Sequence, residues 1–245
     1  MTPTRSRLRA SAASLVGLTA TLALMTGCSA IDGLTGSSDD SSSTPSASPS
    51  ATETPYDSQF TRDGTFQSHI QRAGDMDFVY TLYPTKSTPR TNEWYPKGKK
   101  YFSFTFQAYD LSQEIRDPFS TKRRVYLDHI TVTSETIRSG GGAPEHPFEL
   151  DVVAKDHTFD PEPVSTKYGM LITSPKGAFE LRNNTIKPTA DDTTGIDLHF
   201  TAIVWVQKRA GGTEYEKMTI KQKVPIAIFS SDKPTEAQSI PVDAN

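Results

Sequence analysis

Residues 195–230, GIDLHFTAIVWVQKRAGGTEYEKMTIKQKVPIAIFS, predict two long β-strands joined by a turn at Gly211-Gly212. Apolar side chains alternate along both strands, so that one face carries Ile196, Leu198, Phe200, Ala202, Val204, Val206, Met218, Ile220, Val224, Ile226 and Ile228. Ile203 and Trp205 make the opposite face of the first strand apolar too, and we expect a central strand covered on both sides. Pro225 has no N–H to donate, which predicts an edge position or a bulge there.

The same period of two recurs toward the N-terminus. Residues 100–110, KYFSFTFQAYD, place four apolar side chains on one face: Phe102, Phe104, Phe106 and Ala108. Similar strands are predicted at residues 76–83 (MDFVYTLY), 124–133 (RVYLDHITVT) and 148–154 (FELDVVA). In the second of these the apolar phase shifts between Leu127 and Ile130, which predicts a β-bulge.

These patterns predict an all-β fold, a single antiparallel β-sandwich over residues 60–230. No window of eleven or more residues has a helical period, and the strand signals number seven to nine. In architecture, the stretch resembles the immunoglobulin-like sandwiches that many surface lipoproteins carry. The Cys–Trp–Cys hallmark of true immunoglobulin domains is absent.

Residues 1–27 have the layout of a lipoprotein signal peptide. Three arginines within the first nine residues precede a mostly apolar run at residues 10–25, which is short for a membrane span. The run ends Met25-Thr26-Gly27-Cys28, which resembles the bacterial lipobox, and Cys28 is the only cysteine. The resemblance implies cleavage before Cys28, a diacylglycerol on its thiol, and a free amine for a further acyl chain such as palmitate. Several acyl chains anchor a protein stably to a bilayer.

Two segments outside the sandwich are predicted to be disordered. Residues 28–59 are rich in Ser, Thr, Pro and Asp, and they have too few apolar side chains to offset the entropy of ordering, so we expect a tether. Residues 231–245 are expected to form a disordered tail. The formal net charge of the whole chain is −3, and a protein without a basic excess is a poor candidate for nucleic-acid binding.

No catalytic signature stands out. The motif G-x-S-x-G is absent, and a blue-copper site would need a cysteine thiolate. Asp191, Asp192 and Asp197 miss the offsets of an EF-hand and predict an acidic turn. The five histidines lack the spacing of paired metal ligands: His69, His129, His146, His157 and His199. We therefore name no catalytic residue, no cofactor and no metal site.

The candidate ligand-binding residues lie in one loop, residues 92–100 (NEWYPKGKK). This loop combines Trp94 and Tyr95 with Lys97, Lys99 and Lys100 immediately before a predicted strand. Aromatic rings beside cations suit sugars or anionic envelope polymers. The alternative is structural, with Trp94 capping the end of the sandwich and the lysines protecting an aggregation-prone strand.

Together these features predict a lipid-anchored, extracytoplasmic binding or interaction module at the cell membrane rather than an enzyme. Its partners would be the lipid bilayer, through acylated Cys28, and an envelope protein or polymer. Two alternatives stay open. One is an envelope hydrolase in which His129, His157 or His199 meets Asp or Glu in a deep pocket, and the other is a surface metal-binding protein.

Overall fold

The computed structural model describes residues 56–72 and 74–230, which form a β-sandwich. The predicted signal peptide (1–27), Cys28, the predicted tether up to residue 55 and the predicted tail (231–245) lie outside the described residues. The last four residues of the predicted tether, 56–59, lie within the folded body, because Ser58 Oγ donates a hydrogen bond of 2.7 Å to the Pro225 carbonyl oxygen. No helix among the described residues is long and apolar enough to cross a membrane.

Ten strands form two sheets within the described part of the chain. The strands are β1 Phe66–Arg72, β2 Met76–Pro84, β3 Lys100–Asp110, β4 Val125–Arg138, β5 Glu149–Val153, β6 Ser165–Thr166, β7 Gly169–Leu171, β8 Phe179–Ile186, β9 Thr193–Gln207 and β10 Tyr215–Ala227. A four-stranded sheet has the order β1-β2-β3-β8, and a six-stranded sheet has the order β10-β9-β4-β7-β6, with β5 also paired to β4. All these strand pairs are antiparallel. Two short helices are α1 Gln59–Asp63 and α2 Ala154–His157.

The predicted hairpin at the C-terminal end is confirmed as β9 and β10, with Tyr215 paired to Gln207 at the turn. Gly211 adopts a φ of 71°, a left-handed conformation that glycine takes readily. β10 is an edge strand, as Pro225 indicated. The Pro225 carbonyl accepts from Ser58, and the Ala227 N–H donates to Thr61 Oγ1 at 3.0 Å, so α1 covers the C-terminal end of this free edge.

The predicted strands at 76–83, 100–110, 124–133 and 148–154 correspond to β2, β3, β4 and β5. The predicted bulge is confirmed, because the register between β4 and β9 shifts between Leu127 and His129. The edge strands β1 and β8 were missed. In β8 two residues opposite Ser103 interrupt the alternation, and Asn183 there has a φ of 59°, so no period of two is visible in the sequence.

Aromatic side chains fill the space between the two sheets. Tyr80 stacks on Phe106 with ring centres 4.2 Å apart, and both belong to the four-stranded sheet. Phe200, from the six-stranded sheet, lies 5.2 Å from Tyr80 and 5.1 Å from Phe104. Burying each large apolar side chain stabilises a fold by about 1.5–3 kcal/mol, so this contact layer is a major source of stability.

The prediction that β9 is covered on both sides is wrong for the outer face of the strand. β9 is central, between β10 and β4, and its inner face is buried. Ile203 and Trp205, on the outer face, remain partly exposed. Trp205 contacts Tyr168 with ring centres 5.1 Å apart, so neighbouring side chains cover only part of this face.

An ion pair fixes the crossing between the sheets, where β3 ends and β4 begins. Asp110 accepts from Arg123 Nη2 at 2.6 Å, from Arg123 Nε at 3.0 Å and from the Arg123 backbone N–H at 2.8 Å. The Asp110 side chain is 1% exposed. Burial alone would raise the pKa of Asp110, but hydrogen bonds from Arg123 and Ser112 outweigh it and hold the pKa well below its usual range.

Asp110→Asn should lower the free energy of unfolding by about 3 kcal/mol, because it leaves the Arg123 guanidinium without its counter-ion in a largely buried site. The matched control is Glu180→Gln, which breaks the more exposed pair with Arg182 and should cost less than about 1 kcal/mol. Chemical denaturation of both variants measures this. Equal losses would show that the crossing does not depend on the buried pair.

The contribution of Asp110 should also depend on pH. Its folded pKa lies below its unfolded pKa, so the stabilisation is complete above the ordinary carboxyl range and is lost as the pH falls through and below about 4. Unfolding free energies of the unaltered protein and Asp110→Asn should therefore converge in acid. A gap that stays constant down to the lowest pH at which both fold would contradict this.

Candidate functional site

The five predicted ligand-binding residues lie in or beside one cleft at an end of the sandwich. The cleft has a volume of about 420 Å³ and is formed by the connection between β2 and β3 and by the start of β3. Its lining includes Ser87, Thr88, Arg90, Glu93, Trp94, Tyr95, Gly98, Lys99 and Tyr101. The five predicted residues play different parts there, because some point into the protein and others into the cleft.

Trp94 has the structural role that was the alternative to ligand binding. Its side chain is almost completely buried, and its ring meets Phe60 edge-on with centres 5.3 Å apart. The indole Nε1–H donates to the Thr88 carbonyl oxygen at 3.1 Å. Trp94 therefore closes the end of the core and forms the floor of the cleft.

Lys100 is also buried, with 1% of the residue exposed. Its ammonium donates to the Gly98 carbonyl oxygen at 2.8 Å and to the Pro96 carbonyl oxygen at 3.2 Å. Burial lowers the pKa of Lys100 to about 8. Lys100 thus holds the turn at residues 96–98 in place, and its charge does not face the cleft.

Lys97 extends away from the cleft toward the acidic turn at Asp191 and Asp192. Its Nζ lies 3.2 Å from Asp191 Oδ1 and donates to the Thr189 carbonyl oxygen at 3.2 Å. In the same turn, Asp192 accepts from Arg138 Nε at 2.8 Å, and this contact lowers the pKa of Asp192. Cations of the protein itself occupy these two carboxylates. The prediction of an acidic turn is confirmed for Asp191 and Asp192 and is wrong for Asp197, which lies in β9.

Tyr95 and Lys99 are the two predicted residues that present their side chains to the cleft. Two further side chains were missed, those of Arg90 and Tyr101. The Thr88 hydroxyl is occupied within the loop, because it accepts from the Tyr101 backbone N–H at 2.9 Å and donates to the Thr85 carbonyl oxygen at 3.2 Å. Arg90 Nη1 pairs with Glu93 Oε1 at 2.5 Å. Tyr101 was assigned to the polar face of its strand, and its place at the start of that strand, beside an aromatic loop, is the signal that could have identified it.

The chemical character of the cleft follows from this set. Tyr95 and Tyr101 offer flat apolar surfaces with polar tips, and Lys86 Nζ lies over one face of the Tyr101 ring, 4.7 Å from its centre. Lys99 supplies a cation without a carboxylate partner among the described residues, whereas Arg90 is paired. Such a site is suited to binding and orienting a small polar ligand with a negative charge.

The three histidines considered for a hydrolase do not share such a cleft. His129 pairs with Asp151, but the Asp151 side chain is 73% exposed on an open sheet face. His157 faces a backbone carbonyl oxygen at 3.3 Å, and His199 lines a shallow depression beside two lysines. Of these three histidines, none lies beside a carboxylate in a deep pocket.

The other two histidines form local contacts. His69 Nδ1 lies 2.7 Å from Asp77 Oδ2 across β1 and β2, and His146 Nδ1 donates to the Ser134 carbonyl oxygen at 2.5 Å. Within residues 56–72 and 74–230, no group of three or more His, Cys, Asp or Glu side chains is arranged to hold a metal ion.

Comparisons with known proteins add no name. No family model matches the chain, and no curated protein matches it. The geometry of the cleft is therefore the basis for a functional assignment.

Lys100→Met tests how the turn beneath the cleft is held. Because the folded pKa of Lys100 is about 8 and its unfolded value is 10.5, burial of the charged form opposes folding below pH 8. This destabilisation disappears as the pH rises from 8 to 10.5. The neutral amine still has two N–H groups for the two carbonyl oxygens. The unfolding free energy of the unaltered protein relative to Lys100→Met should therefore rise by up to about 3 kcal/mol.

Denaturant titrations of both proteins at several pH values between 7 and 10.5 measure this difference. The tyrosines and other lysines titrate in both proteins, so their contributions to the unfolding free energy cancel in the difference. A difference that stays flat or falls over this range would mean that Lys100 keeps an ordinary pKa and is not buried as described.

Proposed function

We propose that the protein is a lipid-anchored, extracytoplasmic binding module, held at the outer face of the cell membrane through acylated Cys28. The observation that carries the binding role is the end cleft, in which Tyr95, Tyr101 and Lys99 face one space of about 420 Å³. The anchor rests on the lipobox-like sequence at residues 25–28 and on the composition of the tether.

The position of the cleft supports a ligand close to the membrane. The described residues begin at Tyr56, whose hydroxyl donates to Asp197, and near their end the Phe229 N–H donates to the Trp94 carbonyl oxygen at 2.8 Å. Tyr56, Asn92 and Phe229 line a second depression at this end, so both ends of the described chain lie near the cleft. A tether joined to this end would bring the cleft toward the bilayer.

The expected ligand is a sugar that carries a phosphate or a carboxylate, as found in envelope polymers. The tyrosine rings can stack on the C–H face of a sugar, while Lys99 can pair with its negative group. Such a ligand needs orientation rather than chemical activation, in keeping with a binding module.

Cys28→Ala should move the protein from the membrane fraction to the soluble fraction, because it removes the only thiol that can carry a diacylglycerol. Fractionation of cells that express the full chain measures this, together with the intact mass of the membrane form. Ser41→Ala, in the tether, is the matched control and should stay in the membrane. Retention of Cys28→Ala in the membrane would disprove the anchor.

Lys99→Ala and Tyr95→Ala should each weaken binding to the cleft by about tenfold, since each removes one contact worth about 1.4 kcal/mol. The probes are glucose 6-phosphate, glucuronate and glucose, and isothermal titration calorimetry measures their binding. Lys187→Ala, which removes a lysine outside the cleft lining, is the control and should leave affinity unchanged. Absence of binding to all three probes, or equal losses in the control, would contradict the assignment of the cleft.

A further inference from the structure

We propose a second binding site, for an acidic polysaccharide, on the outer face of the six-stranded sheet. It is built on four aromatic side chains, which we call the aromatic platform: Tyr126, Tyr168, Trp205 and Tyr215. None of them lines the end cleft, so this site is independent of the cleft and of the function proposed for it.

The rings of the platform form one continuous cluster. Tyr168 lies at its centre, with its ring centre 4.4 Å from that of Tyr215, 5.1 Å from that of Trp205 and 6.4 Å from that of Tyr126. Tyr126 is 3% exposed and forms the base. Tyr168, Trp205 and Tyr215 are partly exposed, so they present ring surface to the solvent.

The backbone fixes these rings relative to one another. Tyr126 and Trp205 are direct cross-strand partners on β4 and β9, and Lys217 of β10 is the next partner in the same row. Tyr168 comes from the turn between β6 and β7 and is followed by Gly169, whose φ is 110°. A Cβ at Gly169 would overlap the backbone of Leu127, so glycine allows this turn to approach the bulge of β4.

Three cations border the platform. Lys217 Nζ lies 5.5 Å from the ring centre of Trp205, and Lys167 Nζ lies 5.0 Å from that of Tyr168. Burial raises the pKa of the Tyr215 hydroxyl, and the adjacent Arg124 partly offsets this rise. A ligand that stacks on these rings therefore meets three cations, which favours an anionic ligand.

The surroundings of the platform favour a polysaccharide over a protein partner. Along β9 and β10, the same face continues from the rings through Ile203 to Thr201 and Thr219, so these two strands add little further apolar surface to the platform. A stable protein interface buries about 800 Å² on each partner and has an apolar centre. A chain of hexuronic acids needs less apolar surface, because each sugar ring stacks through its C–H face while its carboxylate meets a lysine.

The two tryptophans of the chain make the proposal directly measurable. Trp94 is buried beneath the cleft and Trp205 belongs to the platform, so Trp94→Phe leaves Trp205 as the single fluorescent indole. Oligogalacturonate added to this variant should change its fluorescence saturably. The fully methyl-esterified oligomer, which is the same chain without its charge, should bind at least about tenfold more weakly. Raising the salt concentration should weaken binding of the acidic form.

Substitutions then locate the site by calorimetry in the otherwise unaltered chain, which keeps Trp94. Tyr168→Ala and Lys217→Ala should each weaken oligogalacturonate binding by about tenfold. Lys221→Ala, on the same face of the same strand, should leave it unchanged. Circular dichroism checks that each variant is folded.

The proposal would be overturned by the absence of binding to oligogalacturonate, by equal binding of the acidic and esterified oligomers, or by affinity lost with Lys99→Ala but kept with Tyr168→Ala. The last result would place the polysaccharide in the end cleft. Binding of an acidic protein such as ovalbumin at the platform without binding of the oligosaccharide would also exclude the proposed ligand.

Discussion

The sandwich depends on contact between aromatic rings across its two sheets. Tyr80 and Phe106 stack within one sheet, and Phe200 from the other sheet packs against Tyr80 and Phe104. The single cysteine, at position 28, lies outside the described residues, so no disulfide supports this body. Burial between the sheets and the Asp110–Arg123 pair at their crossing must therefore hold the fold together.

The sequence allowed the central strands to be predicted because their neighbours impose strict alternation. β3 and β9 are paired on both sides and bury one face, so a polar residue on that face would be costly. Edge strands are under weaker constraint. β8 contains a bulge that breaks its period, and β6 has two residues, too few for any pattern. These segments become strands through their partners rather than through their own composition.

Residue type located the loop of the candidate site but not the direction of its side chains. Trp94 and Lys100 point inward, where one closes the core and the other holds two carbonyls, while Tyr95 and Lys99 face the cleft. Loop conformation depends on contacts with distant residues, such as Phe60 beneath Trp94, which no local pattern encodes. The aromatic platform escaped detection for the same reason, because Tyr168 reaches Trp205 only in the folded chain.

The central claim is that the end cleft binds a component of the cell envelope. Photo-crosslinking in living cells tests it most directly, with a photoactivatable phenylalanine analogue at position 95 of the full-length protein and, as reference, at the exposed position 67 on β1. Our account predicts a discrete adduct from position 95 that position 67 does not give. The same adducts from both positions, or none from position 95, would contradict it.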